Sequence, residues 1–156
     1  MKKEGYPVRY VVLTFFKNDC YFVGEVGYDF FPDVNGYVIA PAYLISENHI
    51  YYEDGTAENI YKIVLPFEGF NNSKEIEPIF DDFGECVNSY EVGKLFSNIF
   101  DAEEYTNMLN DDLKRSFIYR SNDRFDAEKR INSFESDLSK YKEMEMSLIL
   151  RKGYNK

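Results

Sequence analysis

The hydrophobic period of this chain changes once, near residue 100. Before that point apolar residues come in short runs of β-branched and aromatic types, separated by turn residues. Beyond it they recur at steps of three and four. Strands first and helices afterwards is the order of an α+β fold. At 156 residues the chain suits a single domain large enough to bury a real core. The expected architecture is an N-terminal antiparallel sheet or small barrel of about five strands, spanning residues 1–100, followed by a two-helix hairpin over 101–156.

Val8–Phe16 (VRYVVLTFF) reads as the first strand, and Lys17-Asn18-Asp19 as a turn leading into Cys20–Val26, so that the two make a hairpin. Pro32-Asp33-Val34-Asn35-Gly36 carries the chemistry of a tight reversal, because Asn-Gly tolerates positive φ. Tyr37–Ile45 and His49–Tyr52 are expected as separate short strands, Glu53-Asp54-Gly55 as a turn, and Ile60–Pro66 as the next strand. Phe67–Tyr90 has no clear period, and Val92–Ser97 reads as a last strand. Asp101 is placed to cap a helix, with Glu104 at the capping-box position and an apolar stripe of Ala102, Tyr105, Leu109, Leu113 and Phe117. After the break Ser121-Asn122-Asp123, a second helix is expected over about Arg124–Glu145 on the stripe Ala127, Ile131, Phe134, Leu138 and Tyr141. Met146–Arg151 either extends it or forms a strand.

Charge divides along the same line. The formal net charge is −10, of which −9 falls in residues 1–100, together with 21 of the 28 aromatic residues. So many aromatics exclude a disordered acidic tail. No apolar run approaches the roughly 20 residues of a membrane helix, and Met1-Lys2-Lys3-Glu4 leads into no signal-peptide core, so a cytoplasmic location in a host cell is expected. An acidic surface is repelled by phosphate backbones, which argues against direct nucleic-acid binding. Cys20 and Cys86 have no CxxC spacing and read as reduced thiols.

The chain holds no GxSxG, no phosphate-binding glycine loop and no HExxH. His49 is the single histidine, and its context suits an edge strand or turn better than catalysis. No catalytic residue, metal ligand or cofactor is assigned. Among the carboxylates, Asp81, Asp82 and Glu85 would share one face if their segment were helical, the best metal-binding arrangement available. Asp33-Val34-Asn35-Gly36 lacks the distal ligand of a calcium loop. Two features stand out. Acids and aromatics interleave in Tyr28-Asp29-Phe30-Phe31-Pro32-Asp33, Tyr51-Tyr52-Glu53-Asp54 and Phe80-Asp81-Asp82-Phe83-Gly84-Glu85. Either they form an interface, or the rings are strand core and the acids solubilise turns. Six bases also cluster in Lys114–Arg130, either to grip an acidic partner or to pair with the acidic sheet.

Gly93–Asn110 (GKLFSNIFDAEEYTNMLN) resembles a strand-then-helix pattern of small proteins from low-GC bacteria and their phages. In size and charge the chain also resembles phage-encoded anti-defence inhibitors, anti-CRISPR proteins among them, some of which mimic DNA. The resemblance implies a non-enzymatic inhibitor that blocks a basic nucleic-acid-binding partner, such as a CRISPR effector or another defence protein. The resemblance assigns no residues; from the acid-aromatic interleaving, Asp29, Asp33, Glu53, Asp54, Asp81, Asp82 and Glu85 would stand in for phosphates, and Tyr28, Tyr52 and Phe83 would anchor. The competing expectations are a small metal-dependent enzyme using clustered carboxylates and a housekeeping adaptor domain.

Overall fold

A computed structural model describes residues 5–67 and 74–150 of the chain. Five strands come first: β1 (Val8–Phe16), β2 (Tyr21–Val23), β3 (Val34–Tyr51), β4 (Ala57–Val64) and β5 (Tyr90–Val92). Two helices follow, α1 (Ile99–Tyr119) and α2 (Arg124–Leu148). The strands make one antiparallel sheet in the order β2-β1-β3-β4-β5, so the molecule is α+β as its hydrophobic pattern requires. Short β2 covers only Leu13–Phe15 of β1. The other end of that edge is taken by Phe96, which exchanges two backbone hydrogen bonds with Tyr10 at 2.8 and 2.9 Å. That bridge curls the sheet into a nearly closed barrel. Inside it, Val11, Leu13, Val38, Ala40, Ile63 and Val92 pack together.

One turn chemistry recurs three times. At Phe16–Cys20, Tyr52–Thr56 and Asp81–Glu85 the fourth residue donates its N–H to the first residue's carbonyl, and the first donates to the carbonyl of the fifth. The fourth residue holds positive φ in each case: Asp19 at 65°, Gly55 at 90° and Gly84 at 84°. This is the three-residue hairpin loop, a type I turn closed by a left-handed residue. Glycine adopts that conformation without penalty, and Asp is one of the few side-chain-bearing residues that tolerates it.

The turn expected at Pro32–Gly36 forms only in its first half, where the Val34 N–H donates to the Phe31 carbonyl across Pro32-Asp33. Asn35 and Gly36 lie inside β3, and the chain turns earlier, where Phe30 and Phe31 both donate to the Gly27 carbonyl. Asn-Gly sits under α2 instead. A Cβ on Gly36 would meet Leu138 at 3.5 Å and Tyr141 at 3.7 Å, ordinary contact distances, so the helix packs over this position without requiring glycine. Nor are Tyr37–Ile45 and His49–Tyr52 separate strands. They are one 18-residue strand with a bulge between Leu44 and Ser46. Its first ten residues are buried, and from Glu47 onward it runs out with β4 as a largely exposed ribbon. The remaining strand boundaries also shift: β2 is shorter than Cys20–Val26, β4 begins earlier than Ile60, and β5 ends where Val92–Ser97 was expected to begin.

Helices replace a strand along one edge of β3. Tyr10 and Val12 of β1 turn their backbone groups toward Phe96 and Gly24, so the alternate residues bond β3. Asn35, Tyr37, Ile39 and Pro41 therefore face the other edge, and β4 joins it only from Tyr43 onward. Pro41 has no N–H to satisfy there. Asn110 of α1 accepts from the Tyr37 N–H and donates to the Tyr37 carbonyl, both at 2.9 Å. Glu145 of α2 accepts the Ile39 N–H at 2.7 Å. Side chains thus complete the ladder that a buried backbone demands.

The same demand displaces the expected stripe of α1. Thr106 and Asn110 are buried along with Ala102, Leu113 and Phe117, while Tyr105 and Leu109 are only partly covered. The helix also starts one turn before the expected cap. Asn98 is the N-cap, accepting from the amides of Phe100 and Asp101, so Asp101 lies in the first turn and Glu104 closes no capping box. Asp123 caps α2 through the Asp126 amide, and Met146–Leu148 extend that helix.

Candidate functional site

The three acid-aromatic segments occupy three separate places. Tyr28–Asp33 immediately precedes β3 and Tyr52–Asp54 immediately follows it, so these two flank opposite ends of the longest strand. Asp81–Glu85 lies in the β4–β5 connection and reaches the middle of β4, where Glu85 meets Lys62 at 3.3 Å. At roughly 3.3 Å per residue, Lys62 stands about 17 Å along β4 from the strand's start beside the Tyr52–Asp54 turn.

Each segment divides its residues between structure and solvent. Tyr28 packs edge-on against Phe117 with centroids 5.9 Å apart, and the Arg120 guanidinium sits 4.9 Å from its ring. Asp29 meets the same Arg120 at 3.5 Å, while Asp33 is exposed and accepts the Lys17 N–H through its backbone carbonyl. In the second segment the Asp54 carboxylate accepts from the Thr56 hydroxyl and amide, which hold it below the usual carboxylate range. Tyr52 donates to Glu58 at 2.6 Å, and that hydrogen bond pushes its phenol up. Glu53 stays exposed.

The third segment is the most completely built. Asp81 accepts from the amides of Phe83 and Glu85, both at 2.9 Å, so its carboxylate shapes the turn. Phe80 bridges Cys86, the Val87 N–H donates to the Ile79 carbonyl, and Asn88 ties Ile79 to Glu77. The result is a small hairpin over 79–87, not a helix, so the expectation that Asp81, Asp82 and Glu85 share a helical face is wrong. Strong turn chemistry, Asp at the first position and Gly at the fourth, decides the conformation. Phe83 at the tip is 91% exposed, with Asp82 beside it. Ile79, Phe80 and Val87 on its arms are also exposed. Ile79 and Val87 escaped sequence reasoning, and Phe80 entered it only as part of the interleaved segment. The signal that could have found them was Asp81–Gly84 read as a turn.

Among the described residues, no group of three or more His, Cys, Asp or Glu is placed to hold a metal ion. Cys20 and Cys86 are free thiols. His49 lies in the exposed part of β3, opposite Asn59, and its ring contacts that side chain.

The chain matches no known protein family, no curated protein and no solved structure. Among the described residues no helix is long and apolar enough to cross a membrane. Site assignment therefore rests on chemistry alone.

The basic cluster resolves mostly into local pairs. Lys114 meets Glu135, Arg115 meets Asp112, Arg124 meets Glu128 and Arg130 meets Asp126, all within the helical third. Arg120 pairs with Asp29 from the N-terminal part. Among the described residues, pairing of this cluster with the N-terminal part is thus one contact, because partners one helical turn away, or on the other helix for Lys114, are nearer.

One perturbed acid demands a separate account, since perturbed groups often mark function. Burial first, then the hydrogen bond that protonated Glu145 donates to Glu103, pushes Glu145 up to about 8. Burial also raises Glu103, but hydrogen bonds with Glu145 and Lys142 and the Lys142 charge hold it below the ordinary value overall. Lys142 lies 3.0 Å from Glu103 and 3.4 Å from Glu145. Glu145 is 1% exposed and holds the β3 edge, so its retained proton belongs to the fold. A raised pKa means the folded protein binds this proton more tightly than the unfolded chain. Its stabilising contribution is complete below the ordinary value of 4.5 and is lost as pH rises through about 8. Glu145→Gln removes the titration and leaves an acceptor for Ile39. Denaturant unfolding between those limits should show the variant losing less stability with rising pH than the parent. Parallel curves would refute this.

Proposed function

We propose that this protein is a non-catalytic inhibitor of the phage or mobile-element anti-defence type, acting in the host cytoplasm on a basic nucleic-acid-binding protein. A CRISPR effector or another defence protein has the required chemistry. The observation that carries this reading is the hairpin over 79–87. A folded loop that projects Phe83 fully into solvent, beside the carboxylate of Asp82 and flanked by Ile79, Phe80 and Val87, is preorganised for protein contact. Ordering is done before binding, which lowers the entropic cost of association. Exposed apolar side chains gathered in one short segment mark interaction surfaces, and acids around them steer a cationic partner.

The ribbon tip with Tyr51, Tyr52 and Glu53, and the segment with Phe30, Asp29 and Asp33, supply further acid-aromatic contacts. Asp54 and Asp81 support this surface by shaping its turns, so their carboxylates are unsuitable as test positions.

Competition measurements test the proposal. Purified chain is added to CRISPR effectors and other defence nucleases bound to fluorescent nucleic acid, at low and high salt. Release of nucleic acid is expected at low salt. Phe83→Ala combined with Asp82→Lys should weaken it roughly tenfold, about 1.4 kcal/mol, with thermal unfolding unchanged. Competition by the variant equal to that of the parent would refute the role of this hairpin. No release from any tested nuclease would refute the functional class.

A further inference from the structure

We infer a second site, independent of the acidic hairpin: a cationic depression that binds a small phosphate-bearing ligand with a flat apolar part. The depression measures about 400 Å³ and lies where the turn after β1, the segment before β3 and the two helices converge. That volume is within the range of small-molecule sites, about 300–1,000 Å³.

Its lining runs against the charge of the molecule. The chain carries a net −10, yet Lys17, Lys129 and Arg130 all line this one depression, with Asp126 as its single acid. Asp126 is occupied, pairing with Arg130 at 3.3 Å and accepting the Asn122 N–H. The two lysines are different. Lys62, Lys114, Lys140 and Lys142 form ion pairs, and Lys94 lies over the Tyr105 ring. Among the described residues, neither Lys17 nor Lys129 has a carboxylate within 4.0 Å, although the Lys129 charge reaches Asp126 from farther away. The two lysines come from sequence positions 112 residues apart, one in a hairpin turn and one on α2, and line the same depression.

Three bases against one carboxylate leave the depression with a net positive charge. An anion balances that excess, and ammonium groups are effective point-charge ligands for phosphate. The remaining lining offers one accessible ring. Phe117 and Phe134 are core rings, 6% and 3% exposed, so half-buried Tyr28, with Arg120 against its ring, is the aromatic side chain a ligand can reach. Cations beside an accessible ring suit a ligand with a charged end and a flat end, which is the chemistry of a nucleoside phosphate.

Calorimetric titration with AMP, GMP, CMP and UMP, and separately with adenosine and inorganic phosphate, tests the proposal on the full chain. At least one nucleotide should bind with a Kd below about 1 mM, and roughly tenfold more tightly than phosphate or adenosine. Lys17→Gln with Lys129→Gln should weaken that binding at least about tenfold. The unliganded variant should melt no lower than the parent, because neither ammonium group makes a contact that its loss would break. Failure of all four nucleotides to bind, binding no tighter than inorganic phosphate, or undiminished binding by the double variant would each overturn it. The acidic hairpin variants leave this site intact, so the two proposals stand or fall separately.

Discussion

Tyr141→Ala should lower the stability of this protein by about 3–5 kcal/mol, the range for removing a large buried aromatic. The ring is 1% exposed and stacks on Phe15 with centroids 4.2 Å apart and planes 16° from parallel. It also lies against Gly36, so α2, β1 and β3 meet at this one side chain. Its hydroxyl donates to Asp19 at 3.0 Å and accepts from Asn35 at 3.0 Å, which ties the β1–β2 turn to the helix. Burial, more than these bonds, pushes the phenol up to about 12, so it stays a neutral donor at physiological pH. Thermal denaturation should show a fall of roughly 10 °C for a domain this size. Tyr141→Phe separates the contributions, since it keeps the ring and loses about 1–2 kcal/mol with the hydroxyl. A Tyr141→Ala loss below about 1 kcal/mol would mean that α2 does not pack on the sheet through this residue.

Asn110→Ala should cost about 2–4 kcal/mol although it removes almost no apolar area. Both hydrogen bonds of the Asn110 amide go to the backbone of Tyr37, and all the groups are buried. Truncation leaves one donor and one acceptor of a core strand with no partner, and each such orphan costs about 1–3 kcal/mol. Asn110→Asp is the informative companion. It can still accept the Tyr37 N–H, but its carboxylate cannot donate to the carbonyl and is itself desolvated. Equilibrium unfolding in urea should rank the parent above both variants. If Asn110→Ala matches the parent, the side chain does not complete the strand edge.

Sequence reading recovered what is local and repeated. Val8–Phe16 is a strand because β-branched and aromatic residues fill seven of its nine positions, and the structure keeps those bounds. Arg124 begins α2 because Asp123 caps it, and Phe134 and Tyr141 are buried as their spacing requires. Errors arose where a local signal had a stronger tertiary use. Asn35-Gly36 has turn chemistry, but Asn35 spends its amide on Asp137 and Tyr141 and Gly36 lies inside β3 under α2. Asn110 looks like a polar residue off the apolar stripe, yet it is buried because a strand edge seventy residues away needs it. Glu145 is hidden for the same reason. The candidate surface was legible as composition, in Phe83 between Asp82 and Glu85. Its shape was not, because a hairpin and a helical face place those residues differently.

The sequence by itself determined the order of strands and helices, the acidity of the first hundred residues, and the shortage of catalytic motifs. All three follow from residue type and spacing along the chain. Only the tertiary structure decided that β3 runs unbroken for 18 residues, that helix side chains finish its open edge, and that Lys17 and Lys129 line one depression. Those facts join residues far apart in the chain. They are set by which buried backbone groups still need partners once the sheet has formed, and no local period records that demand.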